Sequence, residues 1–274
     1  MNLYVDLNQM RRRYFHDSAL ASTDQLELLR VIEQASRQVD EFSQRIFYTL
    51  EDTRYYDGKG FTQLWLPDDV LSITALKIDE DGDLAYELSL TEETDFWLWP
   101  DNEDPKIRLD VNPESSNLSA WPSGRKRIEI EGAFGYSDVT EATGDTVQSD
   151  PLAAGGTTLA VTDGANFAIG QTLLIEIEQL YISAISTNDL TVTRGVNGTT
   201  DAEHVKTTAI TRYVYDARAV GATLMWAGRL WKRRETADAT TIINPMVGTL
   251  EVHRGMDADV LLALQPLVRT KAVV

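Results

Sequence analysis

The sequence predicts an α+β protein: a small helical bundle carrying β-hairpins, plus an inserted all-β domain resembling a barrel or sandwich. Three observations carry that expectation. Helical periodicity is confined to a stretch near the amino terminus, a second after Tyr215 and a short third before Pro266. Alternating segments punctuated by turn residues fill residues 51–131. Residues 151–213 shift to a Thr, Ala, Gly and Ile composition with no helical pattern.

The first helix is expected over Asp24–Phe47, where Leu29, Ile32, Ala35, Val39, Phe42 and Ile46 recur every three or four positions. Ser22 with Gln25 reads as a capping box, and Asp24 and Glu27 suit the positive end of the helix dipole. Residues 1–18 read as an arm or short helix. Strands follow at Phe61–Leu66 and Leu71–Ile78, joined by a turn at Pro67-Asp68-Asp69. Further strands are expected at Leu84–Leu90, Asp95–Trp99, Lys106–Asp110 and Arg127–Glu131, and Thr140–Gln148 reads as a polar linker. The inserted domain is expected to hold strands at 157–162, 172–177, 180–185, 189–194 and 207–213. Helical spacing returns with Val220, Leu224, Ala227 and Trp231, where Gly221 and Gly228 would admit a neighbouring helix. Lys232-Arg233-Arg234 place positive charge at that helix's C-terminal end. A last helix is expected over Asp257–Gln265. The resulting organisation is a core in two pieces, residues 1–139 and 214–274, with the β-domain inserted at 140–213.

Composition narrows the function. The net charge is −18, and from Glu51 to Asp110 there are 17 acidic against 5 basic residues. Such a surface repels phosphate rather than gripping nucleic acid. No apolar run approaches the roughly 20 residues that cross a bilayer, and the first residues lack the pattern of a secretory signal. There is no cysteine. His16, His204 and His253 are isolated, so no zinc spacing occurs, and no cofactor or phosphate-binding loop is present. Asp79-Glu80-Asp81-Gly82-Asp83 superficially resembles a calcium loop. Its glycine falls one position early and Leu90 stands where the closing glutamate is needed, so a hairpin turn is expected. No catalytic, metal or cofactor residue is nominated, and no enzymatic activity is expected. Trp97 and Trp99 alternate on one strand face, as at a subunit contact or a sugar-stacking platform.

Five short motifs occur in order: Arg45-Ile46-Phe47, Tyr56-Asp57-Gly58, Leu64-Trp65-Leu66-Pro67, Gly135-Tyr136 and Arg229-Leu230-Trp231-Lys232-Arg233. Together they resemble the head–tail connector (adaptor) proteins of long-tailed double-stranded DNA bacteriophages. The insertion resembles a β-module of phage structural proteins, in which Arg194, Gly195, Asn197, Gly198 and His204 shape a tight turn. The resemblance implies a virion protein of the head–tail interface, assembled in the host cytoplasm without a membrane. It implies a homo-oligomeric ring, expected to be a dodecamer, between the portal protein and a stopper or tail-completion protein. DNA would pass through without specific binding. On this expectation Leu264, Leu267, Arg269, Lys271 and Val274 are portal-docking candidates. Ile242, Ile243, Pro245, Met246 and Arg254 are candidates for an axial loop. Asp79, Glu80, Asp81, Asp83, Glu92 and Glu93 are candidates for an acidic surface. The alternative is a decoration or host-adhesion protein that holds glycans through the β-insert.

Overall fold

The computed structural model describes residues 2–18, 20–235, 241–244, 248–251 and 255–269. Its elements are α1 (Leu7–Tyr14), α2 (Ser22–Ser43), β1 (Leu50–Gly58), β2 (Gln63–Ile78), β3 (Leu88–Leu90), β4 (Phe96–Trp99), β5 (Lys106–Val111) and β6 (Gly124–Phe134). There follow β7 (Thr140–Thr146), β8 (Thr158–Ala160), β9 (Thr172–Ile175), β10 (Glu178–Ser186), β11 (Asp189–Thr193), β12 (Ala209–Tyr213), α3 (Ala217–Glu235), β13 (Thr241–Asn244), β14 (Gly248–Glu251) and α4 (Ala258–Leu264). The chain divides into two units. One comprises Met1–Gln44 with Val139–Arg269; the other is built on Arg45–Asp138.

The expected helical bundle with hairpins is not what forms. Two six-stranded antiparallel sheets dominate, each with its own apolar core. The reason lies in what the helices bury. α2 turns Leu28, Ile32, Ala35, Ser36, Val39 and Ser43 inward, and α3 buries Ala219, Ala222, Thr223, Trp226, Ala227 and Trp231. Among the described residues only these two helices are long, α1 and α4 having eight and seven residues, so the buried helical faces make a pair and not a bundle. The predicted stripe is rotated: Phe42 is exposed and Leu29 only half-buried. Gly228 admits α1 rather than a long helix, since a Cβ there would meet the Tyr14 ring at 2.2 Å; at Gly221 a Cβ would meet nothing. Helix α2 starts one residue early for the expected box: Ala21 is the N-cap, and the Gln25 amide donates instead to Leu20 O. Among the described residues no helix is long and apolar enough to cross a membrane.

In the Arg45–Asp138 unit the strand order is β1-β6-β2-β5-β4, with β3 also on β2. The expected turn at Pro67 is absent, because β2 is one long strand that runs through it. Its pairing with β5 slips register between Trp65↔Arg108 and Val70↔Lys106, and pairing with β6 runs from Val70↔Phe134 onward. A proline lacking its N–H breaks no ladder bond at such an irregularity. Leu64, Leu66, Phe96, Leu109, Trp121, Ile128, Ile130 and Phe134 fill the core.

In the other unit the second sheet runs β7-β12-β9-β10-β11-β8. The expected linker Thr140–Gln148 is largely strand β7: polar because it sits at the sheet edge, it pairs with β12 through Tyr213↔Thr140. Beyond it, Gln148 N–H donates to Ala160 O on β8, joining the two edges. The amino-terminal segment is a strap across this unit. Asp6 and Gln9 form a reciprocal capping box on α1, while Leu3, Tyr4 and Val5 are buried. Tyr4 N–H donates to Ser36 Oγ on α2, and the Asn2 and Asn197 amides bond reciprocally at 2.7 and 2.9 Å.

Candidate functional site

Three arrangements of polar and aromatic side chains stand out, and the first collects most of the sequence motifs. Where the chain enters the Arg45–Asp138 unit, Arg45 Nη1 donates to the buried Asp69 carboxylate at 2.7 Å, and its guanidinium lies 5.3 Å from the Tyr136 ring centre. Phe47 packs on the same ring at 5.2 Å. Tyr136 N–H donates to Ile46 O, and Gly135 N–H to Asp69 O. Gly135 has φ +143°, and a Cβ there would lie 2.2 Å from Tyr48 O, so the close approach needs glycine. Nearby, Tyr56 OH donates to Asp68 at 2.9 Å, Arg54 pairs with Asp68 at 2.7 Å, and Asp57 accepts from Lys126 N–H. A Cβ on Gly58 would stand 1.7 Å from Pro122 O. Four of the five motifs thus belong to one unit, and two of them, Arg45-Ile46-Phe47 and Gly135-Tyr136, make a single joint. Asp69, which sequence reasoning assigned to a turn, is its anchor.

The second arrangement is the outer face of β2, β5 and β4. Cross-strand rows place Trp65, Arg108 and Trp99 side by side, and next to them Gln63, Asp110 and Trp97. The Arg108 guanidinium lies 5.0 Å from the Trp65 ring and 4.4 Å from the Trp99 ring, and Nη2 donates to Asp110 at 2.7 Å. Trp97 remains 43% exposed. Behind this face Asp95 is buried. Burial pushes its carboxyl up, but Ser115 Oγ–H, Thr91 N–H and the Asn117 amide hold it below the usual range. Those bonds pin the loop that follows β5.

The third lies inside the second sheet. Glu178 is buried and accepts from Arg194 at 2.6 and 2.7 Å, from Gly195 and Ala202 N–H, and contacts His204 Nε2 at 2.8 Å. Burial pushes this carboxyl up; the Arg194, Ala202, His204 and Gly195 bonds outweigh it and bring it to about 2. His204 Nδ1 lies 2.8 Å from Glu176. Asn197 adopts φ +56° and Gly195 φ +57° in the turn. Every donor here is directed at a structural partner, so the group is a staple rather than a nucleophile with its base.

The nominated residues fall as follows. Asp79 is buried, not surface. Burial pushes its carboxyl up, while Gly82 N–H, Leu84 N–H and the Arg127 guanidinium hold it below the usual range. Asp79, Asp81 and Asp83 lie within 4.8 Å of one another, but Asp79 is already committed to the turn. Glu80, Asp81, Asp83, Glu92 and Glu93 are exposed. Leu264 and Leu267 are buried within their own unit, and Arg269 N–H donates to Ser43 O. Ile242 and Ile243 lie on β13, paired with β14. Pro245, Met246, Arg254, Lys271 and Val274 lie outside the described residues. Residues 1–18, expected as an arm or short helix, hold α1; the contacts that tie this strap down went unseen, because amide pairs such as Asn2–Asn197 leave no periodic trace in a sequence.

No protein-family model matches the chain, and neither the curated proteins nor the solved structures include a match.

Proposed function

We propose that this chain is a structural subunit of a bacteriophage neck: a head–tail connector that assembles as a ring between the portal and the stopper or tail-completion protein. The observation that carries the reading is the joint at Arg45, Phe47, Asp69, Gly135 and Tyr136. Motifs about ninety residues apart, read separately as family markers, are parts of one physical device. The buried charges support a non-catalytic role, since Asp69, Asp79, Asp95 and Glu178 are each engaged in structural bonds.

The ring is expected to be twelve-fold, and an acidic channel lining would give the DNA path a physical basis. Exposed Glu80, Asp81, Asp83, Glu92 and Glu93 add to a field that repels phosphate, so a duplex slides past without adhering. Leu264 and Leu267 are buried, which favours the remaining candidates Arg269, Lys271 and Val274 for portal docking. The test is capture of the purified chain by its cognate portal protein, comparing the full chain with one ending at Arg269. The reading predicts stoichiometric capture of the full chain and its loss on truncation. A full chain that ignores the portal refutes it. The alternative is a decoration or host-adhesion protein holding glycans through the β-insert; the exposed Trp97 lies on β4 of the other sheet.

A further inference from the structure

We propose that the outer face of β2, β5 and β4 binds a neutral oligosaccharide, with Trp97 and Phe61 as stacking platforms and Gln63 and Asp110 as hydroxyl partners. Two shallow clefts adjoin here. One, about 460 Å³, is walled by Trp97, Asp110, Pro113 and Leu118. The other, about 550 Å³, is walled by Phe61, Trp65 and Lys59. Thr62 and Gln63 line both, forming the ridge between them. An aromatic ring therefore stands on each side of one polar ridge, Phe61 60% and Trp97 43% exposed.

Single exposed apolar residues are ordinary; this pair is distinguished by its setting. Trp97 sits on a strand whose next outward residue, Trp99, is locked against Arg108 and Trp65. The loop walling its cleft is pinned through Asp95. The platform is thus held before any ligand arrives, which lowers the entropy lost on binding. The negative face of an aromatic ring attracts the polarised C–H face of a pyranose. The Gln63 amide both donates and accepts, which matches hydroxyls that do both, and Asp110 offers the second lone pair of Oδ2 beside its Arg108 bond, Oδ1 being buried. Two platforms separated by β5, with Phe61 just before β2 and Trp97 on β4, suit non-adjacent residues of a linear chain rather than one sugar. The ligand is uncharged, because the net −12 of residues 51–110 opposes sialylated, sulfated or nucleic-acid ligands. A protein interface generally calls for a continuous apolar patch, and here the rings are separated by Thr62 and Gln63.

The inference stands apart from the connector reading, and its failure would leave that reading intact. The test is titration of the full chain, by calorimetry and tryptophan fluorescence, with neutral hexasaccharides of β-1,4-glucose, α-1,4-glucose and β-1,4-N-acetylglucosamine. Saturable binding of at least one is expected, weakened about tenfold or more by Trp97→Ala and by Phe61→Ala and retained by Trp97→Tyr, a loss typical of a binding hot spot. Unchanged melting of these exposed-residue variants separates lost binding from lost fold. Absence of saturable binding across the panel would overturn the proposal. So would binding indifferent to both alanine variants, a preference for anionic sugars, or a Trp97→Ala defect confined to self-association or portal capture.

Discussion

Arg194 and Glu178 form a two-point ion pair inside the second sheet, with Nε and Nη2 donating over 2.7 and 2.6 Å and neither side chain more than 4% exposed. Removing one partner of such a pair strands a buried charge, which costs about 3–5 kcal/mol. Arg194→Gln should therefore lower the unfolding free energy of this unit by that order in denaturant titration. Replacing both by methionine should recover little, because Gly195 and Ala202 N–H would still lose their acceptor. Full recovery would show that the cluster is not a staple.

Two carboxyls give the pH response opposite limbs. Asp40 is raised to about 7, chiefly by burial, against the lowering effects of Arg37 and the Tyr4 hydroxyl, which donates to it at 2.5 Å. Its folded value lies above the ordinary 3.8, so its contribution is full below about pH 4 and is lost as pH rises through 7. Glu178 is lowered to about 2, so its contribution is present above about pH 4.5 and is lost as pH falls through 2. Melting temperature against pH should decline from pH 4 to above 7, and Asp40→Asn should flatten that limb alone. An unaltered slope in this variant would remove Asp40 as the cause.

Gly135→Ala should be severe for the Arg45–Asp138 unit. The added Cβ would press on the Tyr48 carbonyl at 2.2 Å from a backbone with φ +143°. Strain and overpacking together cost about 2 kcal/mol or more, visible as a lowered unfolding midpoint. Gly144→Ala, with φ +77° but nothing within 4 Å of its Cβ, supplies the comparison and should cost less.

What the sequence disclosed follows from how each element is buried. α2 and α3 were legible because their buried positions repeat every three or four residues, and β6 because Ile128 and Ile130 alternate with charged neighbours. β7 was not legible: an edge strand reading TEATGDT has no apolar face to alternate. The Pro67 region read as a turn because proline and two aspartates favour one, yet β2 runs through it with a register shift against β5 instead. The architecture was misjudged because periodicity reports which face of a helix is buried and not how many long helices share it. The Arg45–Asp69–Tyr136 joint was half-visible: its motif residues stood out, but nothing local revealed that they touch.

Addition of the chain to its cognate portal ring, followed by particle mass measurement and electron micrographs, tests the central claim most directly. The account predicts a defined added mass corresponding to about one copy per portal subunit, seen as a second ring coaxial with the first. It also predicts loss of that ring when Arg45→Ala opens the joint. A portal ring of unchanged mass and outline at saturating concentrations would contradict the account.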